Sequence, residues 1–167
     1  MNTSYDVRMK EHRLKQLEGR KGFQFQLLDI ADRKAVENIE QAPFDAVINL
    51  AARAGVRDSV LDPWAYVEAN MTGTLNMLEF ARQRGVPKFV LASTSSIYGA
   101  DAPLPTPETA DSDHPLQPYS ASKKGAEAMC HAYHFLHGLD VTVVVYFTVY
   151  GPAGRPNMSM FRFVQSI

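Results

Sequence analysis

Short apolar runs and amphipathic stretches alternate along this 167-residue chain, and that alternation limits its fold more than any other feature. Phe44-Asp45-Ala46-Val47-Ile48-Asn49-Leu50 is nearly continuous in apolar residues, as a strand covered on both faces by helices should be. Phe23 to Leu28, Lys88 to Ala92 and the β-branched stretch Val141 to Phe147 read as further strands. Helical patterns fill the intervals. One runs from Ser4 to Glu18 and ends at Gly19; another runs from Asp32 to Glu40 with Val36 and Ile39 facing inward. A third is long, opened by Asp62-Pro63, closed by Gly85 and Pro87, and bent near Gly73. A fourth covers Tyr119 to His137, after a proline-rich loop from Ala102 to Pro118. Such an order implies an α/β fold with a mostly parallel sheet, whose ligands sit beyond the carboxyl ends of the strands. The length suits one domain, so residues 1–167 are expected to form a single unit.

Seventeen basic and eighteen acidic residues are interspersed, without the basic stripe that a phosphate backbone would require, so nucleic acid is not expected as a partner. The most apolar run, Val141 to Tyr150, is far shorter than the roughly 20 residues needed to cross a bilayer, so no membrane association is expected. A single cysteine, Cys130, cannot close an internal disulfide and no cleavable apolar leader follows Met1; a cytoplasmic location is the expectation.

Beyond the Lys88 to Ala92 strand stands a hydroxyl cluster, Ser93-Thr94-Ser95-Ser96, where this architecture keeps its active sites. Taken alone, such a cluster could equally cap a helix or make a turn. Tyr119-Ser120-Ala121-Ser122-Lys123 sets a phenol and an ammonium four apart on one helix face. By itself that pair reads equally as an exposed helix contact. His131, His134 and His137 follow at spacings of three on the same helix, but helical ligand pairs need a third partner from elsewhere. They are read as surface or packing residues, with no metal expected.

In combination these motifs resemble the extended short-chain dehydrogenase/reductases, within their NAD-dependent epimerase/dehydratase group. Asp29-Ile30 resembles the family's adenine-contacting pair, and Asn49-Leu50-Ala51-Ala52 its stretch passing close to the cofactor. Thr94 aligns with the catalytic Ser or Thr, and Tyr119 with Lys123 matches the acid-base pair. Asn70 resembles a family asparagine near the site, and reads equally well as satisfying backbone groups at a helix bend. Tyr146 to Pro152 with Gly154-Arg155-Pro156 is similar to the segment lining the sugar-nucleotide site, most like that of UDP-glucuronate 4-epimerases.

The resemblance implies NAD as cofactor, with Asp29, Ile30, Leu50, Ala51, Ala52, Asn70, Tyr119, Lys123 and Tyr146 around it, and a UDP-sugar as substrate. It implies catalysis by Thr94, Tyr119 and Lys123, with Ser95, Ser96, Thr148 and Arg155 binding substrate. A free phenol has a pKa near 10 and is a poor base at neutral pH, but a neighbouring ammonium favours the phenolate. Tyrosine can then take the sugar 4-hydroxyl proton as hydride leaves that carbon. Family dehydratases carry Asp and Glu at the two places after Thr94, whereas here both are serine, which points to epimerisation. Dimerisation through the helices at 62–84 and 119–137 is a further implication.

No G-x-x-G-x-x-G occurs in the 167 residues. The resembled fold has that turn after its first strand, cradling the dinucleotide phosphates. The expected fold is therefore an incomplete Rossmann-like doubly wound parallel sheet without its first two strands and glycine-rich loop, and with little of the substrate domain. Two alternatives stand beside the epimerase: a non-catalytic fragment or binding module of the same fold, and a sugar-nucleotide dehydratase. In the strand order 3-2-1-4-5-6, Phe23 to Leu28 and Phe44 to Leu50 would lie roughly 14 Å apart across two absent strands. Burial of apolar surface predicts that these two segments pair directly instead.

Overall fold

A computed structural model describes residues 5–39, 43–152, 154–156 and 158–167. The chain divides into two units, residues 28–147 and a smaller one made of residues 1–27 and 148–167. The smaller holds α1 (Val7–Lys15), capped by the Asp6 carboxylate on the Arg8 amide, and α7 (Ser159–Gln165); neither helix buries a residue. Ser4 and Glu40, the outer limits of two expected helices, lie outside the described residues.

The larger unit carries a three-stranded parallel sheet in the order β1 (Val47–Asn49), β2 (Lys88–Thr94) and β3 (Asp140–Tyr146). Its helices are α2 (Arg33–Glu37), α3 (Val56–Leu61), α4 (Pro63–Tyr66), α5 (Gly73–Gln83) and α6 (Pro118–His137). Phe89 and Leu91 of β2 point into the core, where they join Val36 of α2, Leu78 and Ala81 of α5 and Ala126 and Cys130 of α6. The arrangement is the expected α/β fold, an incomplete Rossmann-like sheet.

Local chemistry sets the element ends. Asp32 and Asp62 each cap a helix by accepting a backbone amide, and Pro63 occupies a first-turn position where its missing N–H is no loss. The long helix expected from Asp62 is broken into α4, a six-residue π-turn (Val67–Thr72) and α5. The π-turn ends at Thr72, and at Gly73, which opens α5, a Cβ would meet the Ile30 Cδ1 at 2.7 Å. The short α3 carried no periodic signal.

One expectation fails. Residues 23–29 form no strand, and the one strand hydrogen-bonded to β1 is β2. A strand lacks internal hydrogen bonds and needs a partner to satisfy its backbone. What anchors the chain here is Ile30 beneath Gly73, with Asn76 of α5 donating to the Ile30 and Ala31 carbonyls at 2.8 and 3.1 Å. Leu28 and Ile30 therefore reach the core without ladder pairing.

Candidate active site

Because the three strands are parallel, their carboxyl ends lie at one end of the sheet, and there most of the expected site residues gather. Leu50, Ala51 and Ala52 follow β1; Thr94 ends β2; Tyr146 ends β3 and is the register partner of Thr94. Thr94 is buried, and its hydroxyl accepts the Ser96 amide at 3.2 Å, opening a 3-10 turn from Ser95 to Tyr98. The buried Ile97 and Tyr98 pin this turn, leaving Ser95 and Ser96 half-buried at its start. Gly99 closes it with φ +70°, and its would-be Cβ lies 3.0 Å from the His114 carbonyl oxygen.

α6 begins with Pro118 and brings Tyr119 and Lys123 onto one face. Tyr119 is half-buried, its ring edge-on to Tyr66 at 6.1 Å between centroids. Lys123 is 2% exposed, and no group among the described residues accepts a hydrogen bond from its ammonium. Burial holds its pKa below the ordinary lysine value, an effect that the Glu127 carboxylate one turn onward partly offsets.

Asn70, fully buried in the π-turn, accepts the Arg53 amide at 2.8 Å and donates to the Arg53 carbonyl at 3.1 Å and to the Ser122 hydroxyl at 2.9 Å. Ser122 in turn donates to the Tyr119 carbonyl at 2.8 Å. One amide therefore fastens the loop after β1 to the helix of the Tyr-Lys pair. Of the two readings offered by its position, satisfying backbone groups is the one these contacts display, although the backbone belongs to Arg53 and not to the bend itself.

The remaining expected residues have surroundings of their own. Asp29 is exposed, and its carboxylate accepts the Ala31 amide at 2.9 Å, so it shapes the turn that presents Ile30. Thr148 and Arg155 belong to the smaller unit; Thr148 is exposed, and Arg155 is half-buried with its guanidinium 3.4 Å from the Met158 sulfur. Three residues at or beside the pair escaped sequence reasoning: Tyr66, Ser122 and Glu127. Glu127 continues the spacing of four from Tyr119 and Lys123, which is the signal that could have found it. Elsewhere, a cavity of about 290 Å³ between α2, α5 and α6 contains none of the site residues; around it Arg33 pairs with Glu37, Glu79 accepts from Arg82 and Tyr133, and Arg84 donates to the Glu37 and Ile39 carbonyls.

Comparison with known proteins places this geometry. A family model described as the NAD dependent epimerase/dehydratase family matches residues 2–167. The chain belongs to that family. It is 54% identical over 168 residues to a UDP-glucuronate 4-epimerase of Thermodesulfobacterium geofontis, covering all of this chain and 52% of the relative. Identity to an Arabidopsis thaliana UDP-glucuronate 4-epimerase is 39%, covering 99% of this chain and 38% of that protein. Among solved structures, the UDP-glucuronic acid 4-epimerase of Bacillus cereus in complex with UDP-glucuronic acid and NAD superposes with a TM-score of 0.82 at 34% identity, covering 96% of this chain and 50% of that one. A dTDP-glucose 4,6-dehydratase of Streptomyces venezuelae, with NAD bound, gives 0.84 at 29% identity, covering 93% and 48%. The chain spans about half the length of these family members.

Proposed function

We propose that this chain carries the acid-base half of a nucleotide-sugar 4-epimerase acting between UDP-glucuronate and UDP-galacturonate. The observation that carries the reading is the pairing of a buried, unbonded Lys123 with Tyr119 on one helix face, beside a Thr94 followed by two serines and not by an acid pair. The overall shape is as close to the dehydratase as to the epimerase, so those two serines make the distinction. Dehydration needs a further acid and base to expel water, and neither serine supplies one.

The residues at the strand ends fit the nicotinamide end of NAD, since Lys123 offers a donor with no partner among the described residues and Leu50 to Ala52 and Tyr146 border the same end of the sheet. Asp29, Ile30 and Asn70 complete the proposed cofactor-binding set. No glycine-rich turn is present among the 167 residues to hold the phosphates. NAD, when bound, would supply the acceptor for the C4 hydride and its source on return. Tyr119 Oη takes the proton of the 4-hydroxyl as that bond changes order and gives it back afterward. Thr94 Oγ1 donates to the same oxygen, and Ser95, Ser96, Thr148 and Arg155 receive the uronate carboxylate and phosphates.

The test is proton NMR of UDP-glucuronate incubated with the chain and NAD. Growth of the UDP-galacturonate signal, reduced about 10²- to 10⁴-fold by Tyr119→Phe, is the expected outcome. Formation of a 4-keto-6-deoxy sugar from dTDP-glucose would move the assignment to the dehydratases. A second reading is a non-catalytic module of the same fold; saturable NAD binding by calorimetry without turnover would select it. We further propose a homodimer through α4–α5 and α6, whose exposed Trp64, Phe135 and Leu136 suit a second copy, checked by light scattering. The single buried cysteine accords with a reducing cytoplasm.

A further inference from the structure

Glu127 lies one helical turn beyond Lys123 and two beyond Tyr119, on the same face of α6. The Ser93 hydroxyl donates to its Oε1, and Ser93 is the residue immediately before Thr94 at the end of β2. Its other oxygen lies 4.0 Å from the Lys124 ammonium, which itself donates to Ser112 in the loop before α6. The carboxylate is 16% exposed, so its charge is little screened by water. The strand end bearing Thr94 and the helix bearing the Tyr-Lys pair therefore meet at one carboxylate, and the loop leading into that helix is joined to it through Lys124.

We propose that Glu127 is a positioning residue for the Tyr119 and Lys123 pair: it ties their helix face to the strand end that carries Thr94 and supplies the counter-charge for the buried Lys123 ammonium. The role rests on the reading of Tyr119 and Lys123 as the reacting pair. Serine would suffice for a tie alone, but a carboxylate at this depth also opposes the burial that works against a charged lysine. Glu127 and the Cys130 thiol are the titratable groups acting on Lys123. Those on the elements packed against α6, among them Asp58, Tyr66, Glu68, Glu79, Tyr98 and Tyr146, make no hydrogen bond or ion pair with Lys123 among the described residues.

The test needs neither NAD nor sugar. The chain is labelled with ¹³C-lysine, the Lys123 signal is assigned by its loss in Lys123→Arg, and its pH titration is followed by NMR. Glu127→Gln keeps an acceptor for Ser93 but removes the charge, and should lower the Lys123 midpoint by about one pH unit. Ser93→Ala removes the tie and keeps the charge, and should move the midpoint the same way by a smaller amount. A Lys123 midpoint unchanged in folded Glu127→Gln overturns the proposal. If Glu127→Gln does not fold, an unchanged midpoint in Ser93→Ala overturns it instead. Where epimerase turnover is measurable, Glu127→Gln should lower kcat about tenfold and leave KM for UDP-glucuronate unchanged. Turnover failing in the parent chain while the titration shifts would sink the epimerase reading and leave the placement of Glu127 standing.

Discussion

The two flanks of β2 are held by different means. Toward β3 the ladder runs for seven residue pairs, from Lys88 with Asp140 to Thr94 with Tyr146, and an ion pair at 2.8 Å closes its far end. Toward β1 it runs for only three, from Val47 with Phe89 to Asn49 with Leu91. On that thinner side three buried asparagines bear the connections that a longer ladder would make. Asn49 donates to the Thr74 hydroxyl at 3.2 Å, Asn70 clasps the Arg53 peptide, and Asn76 holds the Ile30 and Ala31 carbonyls. An amide side chain carries both donors and an acceptor, so it can stand in for a strand's backbone where no strand is available. The proposed acid-base pair stands on α6, which packs on β2 and β3 and is tied to the thinner side through Ser122 and Asn70, and the segments expected to meet the cofactor depend on the asparagines.

Phe89 belongs to both ladders and is completely buried, so Phe89→Ala should weaken both flanks together. We expect a loss of about 3–5 kcal/mol in urea unfolding, from lost transfer energy and the cavity left behind. A loss under about 1 kcal/mol would mean that the sheet is not the centre of stability. Asn70→Ala should separate the flanks. It removes three hydrogen bonds and takes the acceptor from the Arg53 amide, at a cost of about 2 kcal/mol. Amide exchange should speed up at Arg53 while Leu91 and Val143 keep their protection. Equal acceleration on both flanks would refute the division.

The same contrast explains how much could be read from residues alone. α6 was legible because a helix satisfies its own backbone and announces itself by local signals: Pro118 at its start, inward Ala126 and Cys130, and the left-handed Gly138 at its end. The places of Tyr119, Lys123 and Thr94 on regular elements were legible for the same reason, but their roles came from the resemblance of the combined motifs to a family. Phe23 to Leu28 has the alternation of a strand, yet a strand exists only with a neighbour, and no local pattern reveals whether one is there. The roles of Asn70, Asn76 and Glu127 were hidden because their partners lie 17 to 52 residues away for the first, 45 and 46 for the second, and 34 for the bond from Ser93 to Glu127. The π-turn that aims Asn70 has no propensity signature of its own.

Between α5 and α6 the tie is electrostatic and should be visible in pH dependence. Bonds from Arg82 and Tyr133 hold the Glu79 carboxyl down to about 2, and burial together with that carboxylate pushes Tyr133 up to about 12. A depressed carboxyl contributes stability that is present above its unfolded value, here 4.5, and is lost as pH falls toward 2. Glu79 is about one-third exposed, so solvent screening cuts the contribution to about 1 kcal/mol. Urea midpoints of Glu79→Gln and the parent should differ at pH 6 and converge near pH 2. A constant difference across that range would show that Glu79 acts by packing and not by charge.

The smallest effect is expected at the open side of the sheet. Ile48 is the central residue of β1 and the register partner of Val90, yet it is 63% exposed. Its side chain points away from the face on which Val47 and Asn49 are buried, so most of its apolar area already contacts water. Ile48→Thr keeps the β-branched shape suited to a strand and removes one exposed methylene-methyl arm. The stability change should stay within about 0.5 kcal/mol, as for surface positions generally. Should the loss instead reach about 2 kcal/mol, the residue must be covered in solution, because only burial gives an isoleucine that much to lose. The variant therefore measures whether the short ladder stands alone or is reinforced from outside, and it does so at a position none of the asparagine clamps can reach.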